Sequence, residues 1–377
     1  MELKEYRFDE VTINFDKKRV PLSGAQREKR QGKYRYYGAQ GVIDHIDDFI
    51  FDGTYLLIAE DGENLKSKKQ NIAQVVEGQF WVNNHAHIVQ GNELCDTRYL
   101  SYLLNSIDLS GYVTGSAQPK LSQANLNAVT LFLPPIFIQK KIVDYLYLFD
   151  KKIAVNQQIN DNLYEMVNAY YTSLFKDVEC EMTTIGNYAE RIYSGGTPTT
   201  SNAAYWDGAF GWFSSGETRN RFVISTEKTI TQAGIDNSST KLAAKHDIVM
   251  ASAGQGFTRG QTSMLLIDTY VNQSVIVIHA ERKVLPYLFW NLANRYEELR
   301  AISDSSSIRG SLTTKMIAAF EIPLANEESL QAFADFSWSV IPQIENNLLE
   351  NERLAALRDN LLPKLMSGEI DVSNIQL

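Results

Sequence analysis

Cysteine is nearly absent from this chain: Cys95 and Cys180 are the two it has in 377 residues. Two thiols cannot build a disulfide framework or a structural zinc site. Long apolar runs are missing too. No stretch approaches the roughly 18 residues of a membrane span, so no membrane partner is expected. The first ten residues, MELKEYRFDE, are charged and hold no apolar signal-peptide core, so a cytoplasmic location is expected. Positive charge is in short supply overall, with 36 Lys and Arg against 45 Asp and Glu, a net charge of −9. Taken whole, that balance argues against nucleic acid as a partner.

Cofactor chemistry lacks its usual signatures as well. No GxxxxGK[ST] phosphate loop occurs. AGQGFTRG is glycine-rich, but Gly254, Gly256 and Gly260 are spaced GxGxxxG, which is not the dinucleotide fingerprint and suits a tight turn or a DNA-facing loop. LPPIF has the prolines of an adenine-methyltransferase motif, but Leu133 stands where a polar side chain would hold the amino group. His85 and His87 fall on one face of an expected strand, with no third ligand nearby in sequence. No catalytic residue, metal or cofactor is expected on these grounds.

What is present is a repeat with an offset of 191 residues. LSQANLNAVTLFLPP from Leu121 matches LTTKMIAAFEIPLAN from Leu312 without a gap, setting Leu126 on Ile317 and Leu131 on Ile322. The match continues through Ile153 and Ile344, Asn156 and Asn347, and Leu174 and Leu365. Weaker likenesses join WVNNHAHIVQ to YVNQSVIVIH, and YLSYLLN to YLFWNLAN. A unit written twice presents two related surfaces.

Periodicity divides the chain into four. Residues 1–134 and 179–325 hold short β-prone runs broken by Gly, Asp and Asn, as expected of strand-rich globular parts. Residues 135–178 and 326–377 follow the helical period, the first opening at Pro134–Pro135. Helices of that length carrying an apolar stripe need a partner. The economical solution is an antiparallel coiled-coil pair with a globular part at either end. Asn156 and Asn347 lie within the stripes, where a buried Asn fixes register, although solvent-facing positions serve equally well. The expected fold class is therefore α/β (α+β), two strand-rich domains joined by two long antiparallel coiled-coil helices.

Charge is distributed unevenly along these segments. The four sections 1–134, 135–178, 179–322 and 323–377 carry −2, 0, −1 and −6. Between residues 17 and 35, eight Lys and Arg stand against Glu28 alone, a local +7 followed by Tyr36 and Tyr37. Such a run serves either as a solvated face or as a phosphate contact.

Taken together, KYRYYGAQGVIDHIDDFIFDGTYLLIAEDG, SGGTPTTSNAAYWDGAFGWFSS, the two LxxxxLxxVxLxLPP-type segments and LRDNLLPKLMSGEIDVS make the chain resemble the DNA-specificity subunits of type I restriction-modification systems. The likeness covers nearly the full length, in the order target-recognition domain, spacer helix, target-recognition domain, spacer helix. It implies that each recognition domain reads one half of a split double-stranded DNA target. It further implies that the helices set the gap and dock two methyltransferase subunits, through which restriction subunits join. On that likeness the chain is a non-catalytic recognition subunit. A stand-alone DNA-modifying or DNA-cleaving enzyme, and a scaffold with decayed recognition domains, are the alternatives. The first domain lacks the opening seen at Ser194–Pro198, so contact residues do not transfer between domains.

Bases are read by polar and aromatic side chains in loops. The candidates in the first domain are Lys33, Tyr34, Arg35, Tyr36, Tyr37, Ser116, Gln118 and Lys120. In the second they are Thr197, Trp212, Ser214, Ser215, Gln255, Arg259, Ser306 and Arg309. Packing in a core accounts for the aromatic residues equally well.

Overall fold

The computed structural model describes residues 2–67, 70–115, 118–175, 181–254, 258–305 and 310–372. The chain forms two compact units, Met1–Lys152 with Arg353–Leu377, and Ile153–Glu352. The division falls within two long helices, Ile136–Phe175 and Glu327–Ser367. At 1.5 Å per residue each is roughly 60 Å long. Among the described residues no helix is long and apolar enough to cross a membrane.

In the first unit a six-stranded sheet runs in the order Thr12–Asn14, Ala86–Gly91, Phe51–Ala59, Ala73–Val82, Gln31–Gly38, Gly41–Ile46. Its alternating apolar positions feed clusters on both faces. Phe51, Leu57, Phe80 and Ile88 enter one. Leu56, Ile58 and Val89 join the helix Thr97–Ser106 in another, through Tyr99, Leu100 and Leu103. Asp96 caps that helix by accepting from the Arg98 and Tyr99 amides. The same cluster takes Ile138, Ile142, Val143 and Leu146 from the first long helix and Leu365 and Met366 from the second. The Asp150 carboxylate accepts from the Arg358 guanidinium at 2.5 Å and from the Tyr102 hydroxyl.

The second unit is built around two sheets. Five strands run in the order Ala189–Ser194, Val275–Ala280, Ile248–Ala251, Thr262–Leu265, Phe222–Val223. Four others run Lys228–Ile230, Trp206–Phe213, Thr269–Val271, Lys241–Ala243. Between them lies a core of Phe213, Val223, Ala243, Val249, Leu265, Val271, Val275 and Val277. The outer side of the five-stranded sheet packs on helix Leu285–Asn294 and on the long helices, through Trp290, Tyr171, Phe175 and Phe333. Burying one such aromatic ring removes some 150–250 Å² from water, and this cluster holds many.

The repeat is visible element by element. The 191-residue offset carries the short helix Gln123–Asn127 onto Thr314–Ala318, Thr130 onto Glu321, and Ile136 onto Glu327, where the equivalent elements begin. In each unit the strand before the long helix pairs antiparallel with a short earlier strand. Thr130–Leu133 pairs with Lys4–Arg7, and Glu321–Pro323 with Met182–Thr184.

Within the second unit the two long helices run antiparallel. Asn156 Nδ2 donates to Asn351 Oδ1 at 2.9 Å, and Asn347 Nδ2 donates to Asn160 Oδ1 at 2.8 Å. Adding 191 turns Asn156 into Asn347 and Asn160 into Asn351, so one bond is the repeat's copy of the other. Asn156 is fully buried and Asn347 nearly so. Their amides thus point across the helix pair, as expected of a register-setting Asn, but each meets a third and fourth asparagine rather than its own counterpart.

Candidate nucleic-acid interface

The basic stretch 17–35 separates into two kinds of cation. Arg19 is held by Asp16 and Glu60, Arg27 by Asp44 at 2.8 Å, and Arg30 by Asp47 at 2.8 Å. These arginines stitch the unit together. Arg27 and Arg30 also lie over the rings of Tyr36 and Trp81. Lys17, Lys18, Lys29 and Lys33 are exposed, and among the described residues none has an ion-pair partner.

Strand Gln31–Gly38 decides which of its own residues stay outside. Lys33 and Arg35 are exposed. Arg35 pairs with His45 on the neighbouring strand, also exposed. Arg35 also donates to the Glu77 carbonyl at 2.8 Å. Tyr34 is half-buried against Phe49. Tyr36 and Tyr37 correct the expectation of a DNA-facing aromatic pair. Tyr36 is fully buried with Ile46 and Trp81, and Tyr37 packs edge-on to Phe80 in a separate cluster. The register shifts between these two tyrosines, and both enter the interior.

Gln118 and Lys120 are exposed on the loop that closes back on Thr114, whose amide and carbonyl both bond Lys120 at 2.8 Å. Ser116 lies outside the described residues. The Lys120 ammonium pairs with Glu60 at 3.3 Å. His87, on strand Ala86–Gly91, is 1% exposed. Its Nε2 lies 2.8 Å from the Leu121 carbonyl, which only accepts, and its Nδ1 lies 2.6 Å from the Asp16 carboxylate. With an acceptor at each ring nitrogen, the imidazolium is the form that satisfies both. Burial opposes that charge, but the Asp16 hydrogen bond, the Leu121 carbonyl and the charges of Asp16 and Glu60 outweigh it and raise the His87 pKa. Burial also pushes the Asp16 carboxyl up, while hydrogen bonds from His87 and Ile88 and the charges of His87 and Arg19 bring it below its ordinary value. His87, weighed above as a metal ligand, is instead tied into the fold through both ring nitrogens. Among the described residues no group of His, Cys, Asp and Glu is placed to hold a metal.

In the second unit the loop after strand Ala189–Ser194 lies flat on strand Thr269–Val271. A Cβ on Gly195 would sit 1.9 Å from the Val271 carbonyl oxygen, which is why this loop requires glycine. The loop covers Trp212, whose Nε1 donates to the Gly196 carbonyl at 3.2 Å and whose ring meets Trp206 edge-on. Trp212 is 5% exposed, so it underlies this surface instead of forming it. Thr197 is half-buried and donates to the Gln273 side chain. Ser214 caps the short helix Ser215–Arg219, sharing the Glu217 carboxylate through its amide and hydroxyl, and the Ser215 carbonyl accepts from Thr218. Burial raises the pKa of Glu217. Ser214 serves the fold here through its side chain, and Ser215 through its backbone carbonyl. Arg259 does too: its guanidinium donates to the Gly310 carbonyl at 2.6 Å and pairs with Asp304, with the side chain only 13% exposed. Gln255, Ser306 and Arg309 lie outside the described residues.

Residues that sequence reasoning passed over now stand out. Leu242 is paired with Tyr270, Tyr270 with Trp212, and Trp212 with Lys228 across the four-stranded sheet, so all four share its outer face. Phe210 reaches the same face and meets the Tyr270 ring edge-on at 6.0 Å. Their signal was the strand alternation itself, read around tryptophan instead of its neighbours.

A family model described as type I restriction modification DNA specificity domain matches residues 2–165 and again 178–352. This chain belongs to that family. The chain is 33% identical over 138 residues to a Haemophilus influenzae protein named as a type I restriction enzyme specificity subunit, covering 37% of this chain and 35% of that one. It is 28% identical over 207 residues to the EcoR124I/EcoR124II specificity subunit of Escherichia coli, covering 52% and 50%. The chain thus spans about a third to a half of the length of these two relatives. Among solved structures it is similar in fold to the S subunit of a type I restriction-modification system from M. genitalium, with a TM-score of 0.59 at 14% identity, covering 97% of this chain and 96% of that one.

Proposed function

We propose that this chain is the DNA-recognition subunit of a type I restriction-modification complex. Each globular part reads one half of a split duplex target. The long helices set the separation of the halves and receive two methyltransferase subunits, which bring the restriction subunits and all catalysis. The observation that carries this reading is the double match to a DNA specificity domain, each copy containing one strand-rich part and running on into a long helix. The exposed lysines at 17, 18, 29 and 33 support it with charge suited to phosphate. The acidic segment 323–377 suits a protein-docking role better than a DNA-facing one, and a cytoplasmic location follows from the same reading.

Co-expression with a methyltransferase subunit from a type I system, followed by sequencing that detects modified adenines, tests it. The expected result is a two-part motif with a fixed gap. Unmodified DNA from a stable, co-purifying complex would overturn the assignment. Methyl transfer or cleavage by the purified chain alone would overturn the non-catalytic role.

A further inference from the structure

We infer that the two-stranded ladders ahead of the long helices are protein-docking surfaces, one in each repeat, and that each holds one copy of the same partner. Under the reading above that partner is the methyltransferase subunit, so the inference rests on that reading and says where on the chain the subunit is held.

Each ladder has an inward and an outward side. Leu131 faces the core, and its copy Ile322 does the same in the second unit. The next position along faces out. In the first ladder Phe132 stands opposite Glu5, and in the second Pro323, the copy of Phe132, stands opposite Met182. Cross-strand partners share a face, so Phe132 and Met182 belong to the same outward pair, contributed by opposite strands. Phe132 is 53% exposed and Met182 54%. Phe137, in the first turn of the helix that follows, is 58% exposed, and Leu324, beside Pro323, is 45% exposed. Three of the four most exposed large apolar side chains among the described residues thus lie at two equivalent places in the repeat. Phenylalanine and methionine are residue types that protein interfaces collect.

The repeat gives the number of occupants, and charge gives their kind. Surfaces that read the two halves of a split target must differ from each other. These two ladders instead share their pairing and an outward apolar pair, which suits one partner bound twice. Acids surround both. Glu2, Glu5 and Glu93 are exposed in the first unit, and Glu181 and Glu321 in the second; none has an ion-pair partner among the described residues. Glu2 and Glu93, with Lys4 as the one cation, line a shallow cleft that Leu94, Pro134 and Pro135 complete. An acidic rim repels a phosphate backbone. It complements a protein surface with an apolar centre and basic edges.

The test co-expresses the full chain with a methyltransferase subunit and counts subunits per complex by native mass spectrometry. The wild type is expected to hold two. F132S/F137S and M182S/L324S are each expected to hold one, and the quadruple variant none. F132L/F137L, which keeps the surface apolar, is expected to hold two, and so is L242S, which removes an apolar side chain 52% exposed on the four-stranded sheet. Each variant is melted to show that it folds. Its affinity for a short labelled duplex is measured across salt concentration, and the log–log salt slope is expected to match the wild type. A folded quadruple variant that still holds two methyltransferase subunits overturns the inference while leaving the recognition reading intact. So does a quadruple variant with a flattened salt slope and an intact complex, since the ladders would then face DNA. A wild-type chain that dimerises alone, through a contact that the quadruple variant abolishes, also overturns it, because a second copy would then cover the ladders. A wild-type chain that captures no methyltransferase subunit retires the docking part of the reading, and these surfaces with it.

Discussion

Replacing His87 by Leu is expected to loosen the contact between strand Ala86–Gly91 and the backbone at Leu121. The change keeps the volume near that of imidazole but removes two donors. The Leu121 carbonyl loses its 2.8 Å partner, and the Asp16 carboxylate, with only 5% of its side chain exposed, loses a 2.6 Å charged one. Breaking a buried pair by removing one member costs roughly 3–5 kcal/mol. Asp16 keeps the Ile88 amide at 2.8 Å and Arg19 at 3.4 Å, so the lower end, about 3 kcal/mol, applies. Hydrogen-exchange mass spectrometry of peptides covering Ala86–Gly91 and Leu121 reads that loss locally, without requiring the two units to unfold together. A double-mutant cycle with Asp16→Asn isolates the pairwise part. Acidity gives a second handle. The His87 pKa is raised above the 6.5 of an unfolded histidine, so its contribution is complete below about 6.5 and declines as pH rises through the raised value. Asp16 is lowered below 3.8, so its contribution is complete above that value and is lost as pH falls. Protection corrected for intrinsic exchange should therefore be greatest between these limits and fall on the alkaline side in the wild type only. Equal protection in His87→Leu, or a wild-type profile that stays flat through neutral and alkaline pH, would refute the imidazolium assignment.

Three further outcomes follow from the geometry. Asn156→Ala strips the fully buried amide that donates to Glu350 at 2.6 Å and to Asn351 at 2.9 Å, and should lower stability to urea by about 1–3 kcal/mol; Asn347→Ala should fall in the same range, because its bond is the repeat's copy. Arg259→Ala should lower the melting temperature of the second unit, because the Gly310 carbonyl and the Asp304 carboxylate are left without their guanidinium partner, while the salt slope of DNA binding stays unchanged. A flattened slope with no thermal effect would return Arg259 to the DNA surface. Gly195→Ala drives a methyl into the Val271 carbonyl and should destabilise the chain by about 1–3 kcal/mol, read as a shift in the urea midpoint; an unshifted midpoint would mean that the loop lifts freely from the strand.

The periodic elements were legible in the sequence because their cause is local. Apolar residues three and four apart, with Pro134–Pro135 before them, mark a helix wherever it sits, and the long helices begin at Ile136 and Glu327. The 191-residue repeat predicted matching elements down to the short helices Gln123–Asn127 and Thr314–Ala318. Exposure of individual strand residues was not legible, because it depends on what arrives from elsewhere. Tyr36 and Tyr37 look like a surface pair until the register shift sends each into a different cluster. Trp212 is on the outward side of its strand, yet a loop 16 residues earlier lies over it. Arg259 sits in a polar, glycine-rich loop that reads as DNA-facing, and its partners, Asp304 and Gly310, are more than 40 residues away.

The paired asparagine bonds also limit how such a chain can change in length over generations. Asn156 with Asn351 and Asn160 with Asn347 share one residue sum, so a residue inserted between Asn156 and Asn160 necessarily breaks one bond if it keeps the other. Insertions outside that segment and its partner segment 347–351 leave both bonds intact. They preserve the buried stripe only when they add close to whole numbers of helical turns, most simply about seven residues at a time. Length variants of this helix pair in descendants of the gene should therefore cluster away from residues 156–160 and 347–351 and differ by multiples of the heptad.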